Sequence, residues 1–176
     1  MRIRNFALIG LVAALAGCST DMDKGLCPDA SALVTASTAT VFRTPGSTDP
    51  TDEKFTVWIT GVKTGCDFDK MTHTTDSNIR IMFRARRPPS ADAASYSVPY
   101  FVAVTQGGNR ILTKKLFQAQ FAFAPGATSV TFESDVGNTV IKMGRGLKIG
   151  SYEILTGFQL TQEQLDYNVK TSHYMP

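Results

Sequence analysis

Residues 79–86 read IRIMFRAR, and this stretch decides the fold. Its apolar side chains take every second position, and they alternate with Arg80, Met82, Arg84 and Arg86. Successive side chains of a β-strand point to opposite faces of the sheet, so the alternation predicts a strand with one buried and one solvated face. Strands of this kind are typical of antiparallel sheets that pack one face on a core.

Similar short segments lie on both sides of this stretch, separated by turn-forming residues. We predict strands at residues 33–42, 55–60, 96–105, 110–123, 129–133, 139–143 and 151–158. We predict polar loops at residues 44–52, 65–76 and 87–94. Gly107 and Gly108 indicate a hairpin turn, because glycine tolerates positive φ. Pro99 favours an edge position or a bulge, because proline has no N–H for the ladder.

A change of periodicity near the end of the chain predicts a short helix over residues 162–167. Thr161 and Gln164 have the spacing of a capping box. We expect this helix to lie against the domain through Leu165. Many short strands and one terminal helix predict a single all-β domain over residues 27–176, an antiparallel β-sandwich of the immunoglobulin-like or fibronectin-like kind. A small closed β-barrel is the alternative.

Composition is that of a globular protein, with 43% hydrophobic and 19% charged residues among 176. This balance argues against a disordered chain and against a fibrous repeat. No apolar run reaches about 18 residues, the length that a membrane-spanning helix needs.

The first 18 residues have the features of a secretory signal. Arg2 and Arg4 precede an apolar segment at residues 6–16, which is too short to span a bilayer. The segment runs into the quartet LAGC at residues 15–18. This quartet resembles the lipobox of bacterial lipoproteins, and charge, apolar core and quartet occur in the expected order. An ordinary secreted protein with a chance cysteine is the alternative.

The resemblance implies that residues 1–17 are removed and that Cys18 carries a diacylglyceryl and an acyl chain. Residues 18–26 would then be a lipidated tether. Ser19 after the anchor is permissive for the outer membrane, with the domain on the periplasmic side or at the cell surface. Loss of Arg2 and Arg4 leaves 16 basic and 15 acidic residues. A nearly neutral chain has no bulk electrostatic reason to bind nucleic acid.

Two further stretches are similar to proteobacterial envelope lipoproteins of about this size that have no assigned activity. They are PYFVAV at residues 99–104, and GFQLT at residues 157–161 with LDYN at residues 165–168. This resemblance supports a lipoprotein β domain and implies no mechanism.

Cys27 and Cys66 are the cysteines that remain after Cys18. In an oxidising envelope compartment we expect them to form a disulfide. Two unpaired buried thiols are the alternative. A metal site is disfavoured, because no further ligands stand at suitable spacing.

The sequence predicts no catalytic centre, and we expect no cofactor. Its two histidines are His73, in a polar segment, and His173, in the tail, and no Gly-x-Ser-x-Gly motif accompanies them. Asp67 and Asp69 could hold a cation in a loop, but the pattern lacks the glycine and distal Glu of an EF-hand. A solvated turn is the simpler interpretation.

The best candidate binding patch combines Trp58 with Arg80, Arg84, Arg86 and Arg87. Guanidinium groups bind phosphate and carboxylate, and an exposed tryptophan can stack on a sugar or anchor a protein. The alternatives are a solvated charged face that discourages edge pairing and a tryptophan within the core. We therefore expect a non-catalytic lipoprotein that presents a β-sandwich surface to an envelope protein complex. The second hypothesis is a module that binds glycan, acidic polysaccharide or lipopolysaccharide.

Overall fold

The structure, a computed structural model, describes residues 27–171. Its strands are β1 (Asp29–Ala32), β2 (Thr38–Phe42), β3 (Glu53–Asp69), β4 (Thr74–Arg86), β5 (Ala94–Gln106), β6 (Arg110–Phe123), β7 (Ser129–Lys142) and β8 (Tyr152–Phe158). One α-helix, α1, spans Gln162–Thr171. Single 3-10 turns occur at Val34–Ala36, Pro50–Asp52 and Ile149–Ser151. The signal segment, Cys18, the tether and His173 lie outside the described residues.

The strands form two four-stranded sheets that pack face to face, so the β-sandwich prediction is confirmed. The strand orders are β1-β8-β5-β6 and β2-β3-β4-β7, and the sheets do not close into a barrel. All neighbours are antiparallel except β1, which pairs with β8 in parallel. Because β2, β3 and β4 form a meander within one sheet, the strand order differs from the ABED and CFG sheets of immunoglobulin constant domains.

The core lies between the sheets, on the face that the alternation in β4 predicts. Ile79, Ile81, Phe83 and Ala85 are all buried. The ring of Phe83 stacks on Phe132 at 5.0 Å within its own sheet. It also meets Tyr100 of the other sheet at 5.5 Å and Phe158 at 6.0 Å. Offset and edge-on contacts of this kind add to the free energy gained by burying the rings.

The predicted loop at residues 65–76 is wrong. Strand β3 continues to Asp69 and β4 begins at Thr74, so the turn between them is residues 70–73 alone. Cys66, Asp67 and Phe68 pair with Ser77, Asp76 and Thr75. One face of this part of the hairpin is exposed, and many of its residues are polar. Because the segment carries no strong hydrophobic pattern, its sequence does not indicate a strand.

Two of the predicted strands are one, because β7 runs unbroken through Ser129–Lys142. Its partner β4 has a register shift between Ser77 and Ile79, which absorbs the irregular polar stretch opposite. The first predicted strand, residues 33–42, is too long, because only Thr38–Phe42 forms a strand, and β1 precedes the predicted range. The 3-10 turn at Val34–Ala36 carries the chain from β1 in one sheet to β2 in the other.

The predicted hairpin between β5 and β6 is present, with Gly107 at φ 62° and Gly108 at φ 77°. Pro99 stands where β5 ceases to pair with β8, since the pairing ends at Tyr100 with Phe158. The amide of Gln159 still donates to the carbonyl of Pro99 at 2.9 Å, but proline has no N–H to return the bond. Strand β5 is therefore an inner strand with no bulge at Pro99, contrary to the prediction, and the proline is tolerated because the ladder with β8 ends beside it.

Helix α1 begins with the expected capping box. The amide of Gln164 donates to Thr161 Oγ1 at 3.3 Å, and the amide of Thr161 donates to Gln164 Oε1 at 3.0 Å. The helix is longer than predicted, and it docks through buried Tyr167 and Asn168 rather than through Leu165, which is half-buried. The buried positions lie in the middle of the helix, where Asn168 donates to the carbonyl of Thr38 in β2.

The predicted disulfide between Cys27 and Cys66 is present, with Cα atoms 5.6 Å apart. Cys27 precedes the edge strand β1 of one sheet, and Cys66 lies in β3 of the other sheet. The bond therefore fastens the start of the described chain to both layers. Among residues 27–171, no helix has the length and apolar character needed to cross a bilayer.

Replacing both Cys27 and Cys66 with alanine should lower the free energy of unfolding by about 4 kcal/mol, because the bond closes a loop with a sequence separation of 39. Urea unfolding of the oxidised protein and of the double variant measures the difference. The reduced native chain serves as the control and should match the variant. A midpoint equal to that of the oxidised protein would show that the bond contributes nothing to stability.

Candidate functional site

The candidate site lies on the outward face of the sheet β2-β3-β4-β7. The register places Trp58, Arg84 and Thr131 side by side on three neighbouring strands. One step along β4, Arg86 stands between Thr56 and Ser129. The alternation of β4 thus places Arg80, Arg84 and Arg86 on the same face, as the sequence predicts.

Helix α1 covers one side of this face. Gln164 Nε2 donates to the carbonyl of Thr40 at 3.0 Å, and Asn168 Nδ2 donates to the carbonyl of Thr38 at 2.8 Å. The rings of Phe42 and Tyr167 meet edge-on at 5.2 Å. Burial raises the pKa of the Tyr167 hydroxyl, and the nearby charge of Glu53 raises it further. The helix explains why the outward threonines beneath it are buried, namely Thr38, Thr40 and Thr56.

Trp58 lies at the border of the covered region. Its register partners are Thr38, which is buried, and Arg84, which is exposed. Trp58 is accordingly half-buried. The sequence is compatible with both a core and a surface position for Trp58. In the structure the exposed fraction of its side chain is intermediate.

Arg80 is already engaged. Its Nε donates to Asp135 Oδ1 at 2.7 Å and its Nη2 donates to Asp135 Oδ2 at 3.2 Å. Glu133 lies 3.5 Å away. The hydrogen bond and charge of Asp135 raise the pKa of Arg80, and the hydrogen bond from Arg80 lowers the pKa of Asp135. This neutralised group has little to offer a further anion.

Arg87 lies inside the protein and not on the outward face of the sheet, with 7% of its surface exposed. Its Nε donates to the carbonyl of Ala127, and its Nη2 donates to the carbonyls of Asp92 and Ala124. The guanidinium carbon lies 4.8 Å from the ring centre of Phe123. Arg87 therefore ties the loop after β4 to the loop after β6. The sequence contains the signal, because position 87 has the inward parity of Ile79 and its alternate neighbours.

Arg84 and Arg86 are exposed, and within the described chain neither guanidinium forms an ion pair. Together with Trp58 they form what we call the candidate face. It combines one aromatic surface with two forked cationic donors on a rigid sheet. The sequence does not predict that α1 covers the sheet beside the candidate face, because no local pattern specifies which sheet a terminal helix will cover.

Acid–base and metal chemistry have no comparable arrangement in residues 27–171. This part of the chain has no group of three or more His, Cys, Asp or Glu residues placed to hold a metal ion. His73 is exposed in a turn at φ 53°. Asp69 Oδ1 accepts the amide of Met71 at 2.7 Å and that of Thr72 at 3.3 Å, so this carboxylate caps the turn. Hydrogen bonds from Thr72 and from the amide of Met71 lower the pKa of Asp69.

Comparison of the chain with protein-family models, with curated proteins and with solved structures gives no match.

Replacing Arg87 with methionine should lower the free energy of unfolding by about 2–3 kcal/mol, because it leaves carbonyl groups without their charged donor. The same change at the exposed Arg84 should stay within about 0.5 kcal/mol. Urea unfolding measures the free energy of unfolding of both variants, which carry the same arginine-to-methionine change. Similar small losses at both positions would contradict the structural role of Arg87.

Proposed function

We propose that this protein is a non-catalytic envelope lipoprotein that presents the candidate face to an envelope protein complex. Acylated Cys18 would hold it at a membrane. In a cell that sorts lipoproteins by the residue after the lipidated cysteine, Ser19 would permit transfer to the outer membrane. The observation that carries the proposal is the placement of half-buried Trp58 beside exposed Arg84 on one rung of a rigid sheet. Tryptophan and arginine are the residue types that dominate the binding energy of protein interfaces.

Rigidity supports a binding role for this surface. The disulfide, the inter-sheet aromatic contacts and helix α1 hold the strands under the candidate face in one arrangement. A preformed surface loses little conformational entropy when it binds. Trp58 therefore needs no rearrangement to present the exposed part of its side chain.

The position of the tether supports the same role. Trp58 and Cys66 lie on the same strand, eight residues apart in the sequence. At about 3.3 Å per residue, the candidate face stands roughly 25 Å along the strand from the disulfide that follows the tether. When the disulfide end is turned toward the membrane, this separation would leave the face clear of the lipid and accessible to a partner.

Metabolic labelling with a clickable palmitate analogue tests the anchor. The native chain should become labelled and should fractionate with membranes, because Cys18 accepts the acyl groups. The Cys18→Ala variant should not become labelled and should no longer fractionate with membranes. Equal labelling of both chains, or of neither, would overturn the proposed anchoring.

Arg84 and Arg86 favour a second candidate function, the binding of acidic glycan or lipopolysaccharide. Two exposed guanidinium groups close to an indole can pair with phosphates or carboxylates while the ring stacks on a sugar. Both candidates use the candidate face, and the chemical nature of the captured partner separates them.

A photo-crosslinking amino acid at Thr131, which is exposed beside Arg84, tests both candidates in intact cells. A protein adduct that disappears with Trp58→Ala would support the envelope complex. An adduct with lipopolysaccharide that disappears with Arg84→Gln and Arg86→Gln would support the glycan module instead. The matched control is the same amino acid at Gln120, an exposed position on β6 of the other sheet. Adducts from both positions, or from neither, would remove the candidate face as a binding surface.

A further inference from the structure

Three connections meet at one end of the sandwich, the end that also carries Cys27. The amide of Met143, after β7, donates to the carbonyl of His73, in the turn between β3 and β4. The amide of Gly144 donates to the hydroxyl of Tyr152 at 2.8 Å. The amide of Gly107, in the turn between β5 and β6, donates to the carbonyl of Ser151 at 2.9 Å. We call this end, formed by residues 70–73, 107–112 and 142–148, the tether end.

Large apolar side chains project into solvent at the tether end. Met71 is 94% exposed at the tip of one hairpin, and Ile111 is 64% exposed beside the tip of the other. Leu112 and Leu147 are also exposed. Leu147 follows Gly146, whose φ of 74° closes a tight turn with a bond from the amide of Leu147 to the carbonyl of Gly144. These side chains sit on connections that are fixed by hydrogen bonds.

The tether end is also basic. Residues 70–73, 107–112 and 142–148 contain five basic residues and no acidic residue, namely Lys70, Arg110, Lys142, Arg145 and Lys148. The loops of the opposite end, residues 43–52, 87–93 and 124–128, contain two basic and three acidic residues. Asp69 lies one residue before this end, and its carboxylate accepts the amides of Met71 and Thr72. These bonds lower its pKa, so its negative charge offsets one of the five basic residues. The turns at the tether end are therefore basic, whereas the loops of the opposite end carry a slight excess of acidic residues.

The path of the chain brings this end close to the anchor site. Cys27 is bonded to Cys66, which lies three residues before the end of β3. Eight residues separate Cys18 from Cys27. Their fully extended length is about 30 Å, so a bilayer that holds Cys18 lies within that distance of the disulfide.

We propose that the tether end docks on the bilayer surface and binds anionic phospholipid headgroups, with Met71, Ile111 and Leu147 reaching into the interface. The inference deepens the proposed function and rests on it for the membrane that Cys18 supplies. Basic side chains pair with lipid phosphates, while exposed apolar tips leave water for the acyl boundary. Docking fixes the strands at a defined orientation to the membrane and holds the candidate face away from it. The acyl chains then determine attachment, and the tether end determines orientation.

The test uses the chain from residue 18 with Cys18→Ser, which removes the acylation site and keeps the whole sandwich of residues 27–171. Sedimentation with vesicles of phosphatidylcholine containing phosphatidylglycerol should show binding that vesicles of pure phosphatidylcholine do not support. Salt should weaken the binding, because the contact is electrostatic.

A triple variant, Arg110→Gln, Arg145→Gln and Lys148→Gln, should bind these vesicles on the order of 100-fold more weakly, since each basic residue near an anionic surface contributes roughly fivefold. The matched control changes the same net charge away from the tether end, with Lys54→Gln, Arg84→Gln and Arg86→Gln, and should keep its binding. Equal loss in the control would place the contact on the sheet face and overturn the inference. Failure of the parent chain to bind, or equal binding to pure phosphatidylcholine, would overturn it as well.

Fluorescence gives an independent measure of orientation. Trp58 is the single tryptophan and lies away from the tether end, so its emission should not change on binding. Tryptophan introduced by Met71→Trp, in a chain that also carries Trp58→Phe, should shift to the blue as the side chain enters the interface. A shift at Trp58 without one at position 71 would contradict the proposed orientation. Because none of these measurements uses acylation, failure of Cys18 labelling and failure of docking are separate results.

Discussion

The contact between the inner face of β4 and the facing strands β5 and β8 is the constraint on which the structure depends. Phe83 touches rings from both sheets, and Tyr100 extends from β5 to share a hydrogen bond of 2.8 Å with Ser134 of β7. Burial raises the pKa of Tyr100, and the hydrogen bond with Ser134 partly opposes that shift. Because this contact fixes which face of β4 is inside, it also fixes which face of the sheet displays arginine.

Four arginines in and beside one strand have three different roles, and the strand geometry explains each. Arg80 faces outward but meets a carboxylate on the neighbouring strand β7. Arg84 and Arg86 face outward beside threonine and serine on β7 and keep their charge available. Arg87 has inward parity at the point where the strand ends, and it binds the carbonyls of two loops. Residue type alone therefore does not define a binding patch, because the neighbouring strand decides whether a charge is free.

The two ends of the sandwich differ in charge and in exposed apolar side chains. One end combines the disulfide, the proposed route to the membrane, exposed apolar tips and basic turns. The candidate face lies along the sheet, well separated from that end, and helix α1 marks its other border. The proposed anchoring and the proposed recognition would therefore not compete for the same surface. In that proposal the long strands β3, β4 and β7 separate the membrane from the partner.

The sequence by itself determined the class of fold and most strand positions, because alternation over residues such as 79–86 is a local consequence of burying one face of a sheet. It also predicted the disulfide, because Cys27 and Cys66 are the two cysteines outside the predicted lipobox, and the helix cap, because the capping box is local. The sequence did not predict the polar ends of β3 and β4, since strands with little buried surface carry a weak hydrophobic pattern. Only the tertiary structure decided that Arg80 is paired, that Trp58 is half-buried, and that three distant turns form one basic end with exposed apolar side chains. Each of these depends on which segments become neighbours across strands, and that information is carried by long-range packing rather than by local sequence.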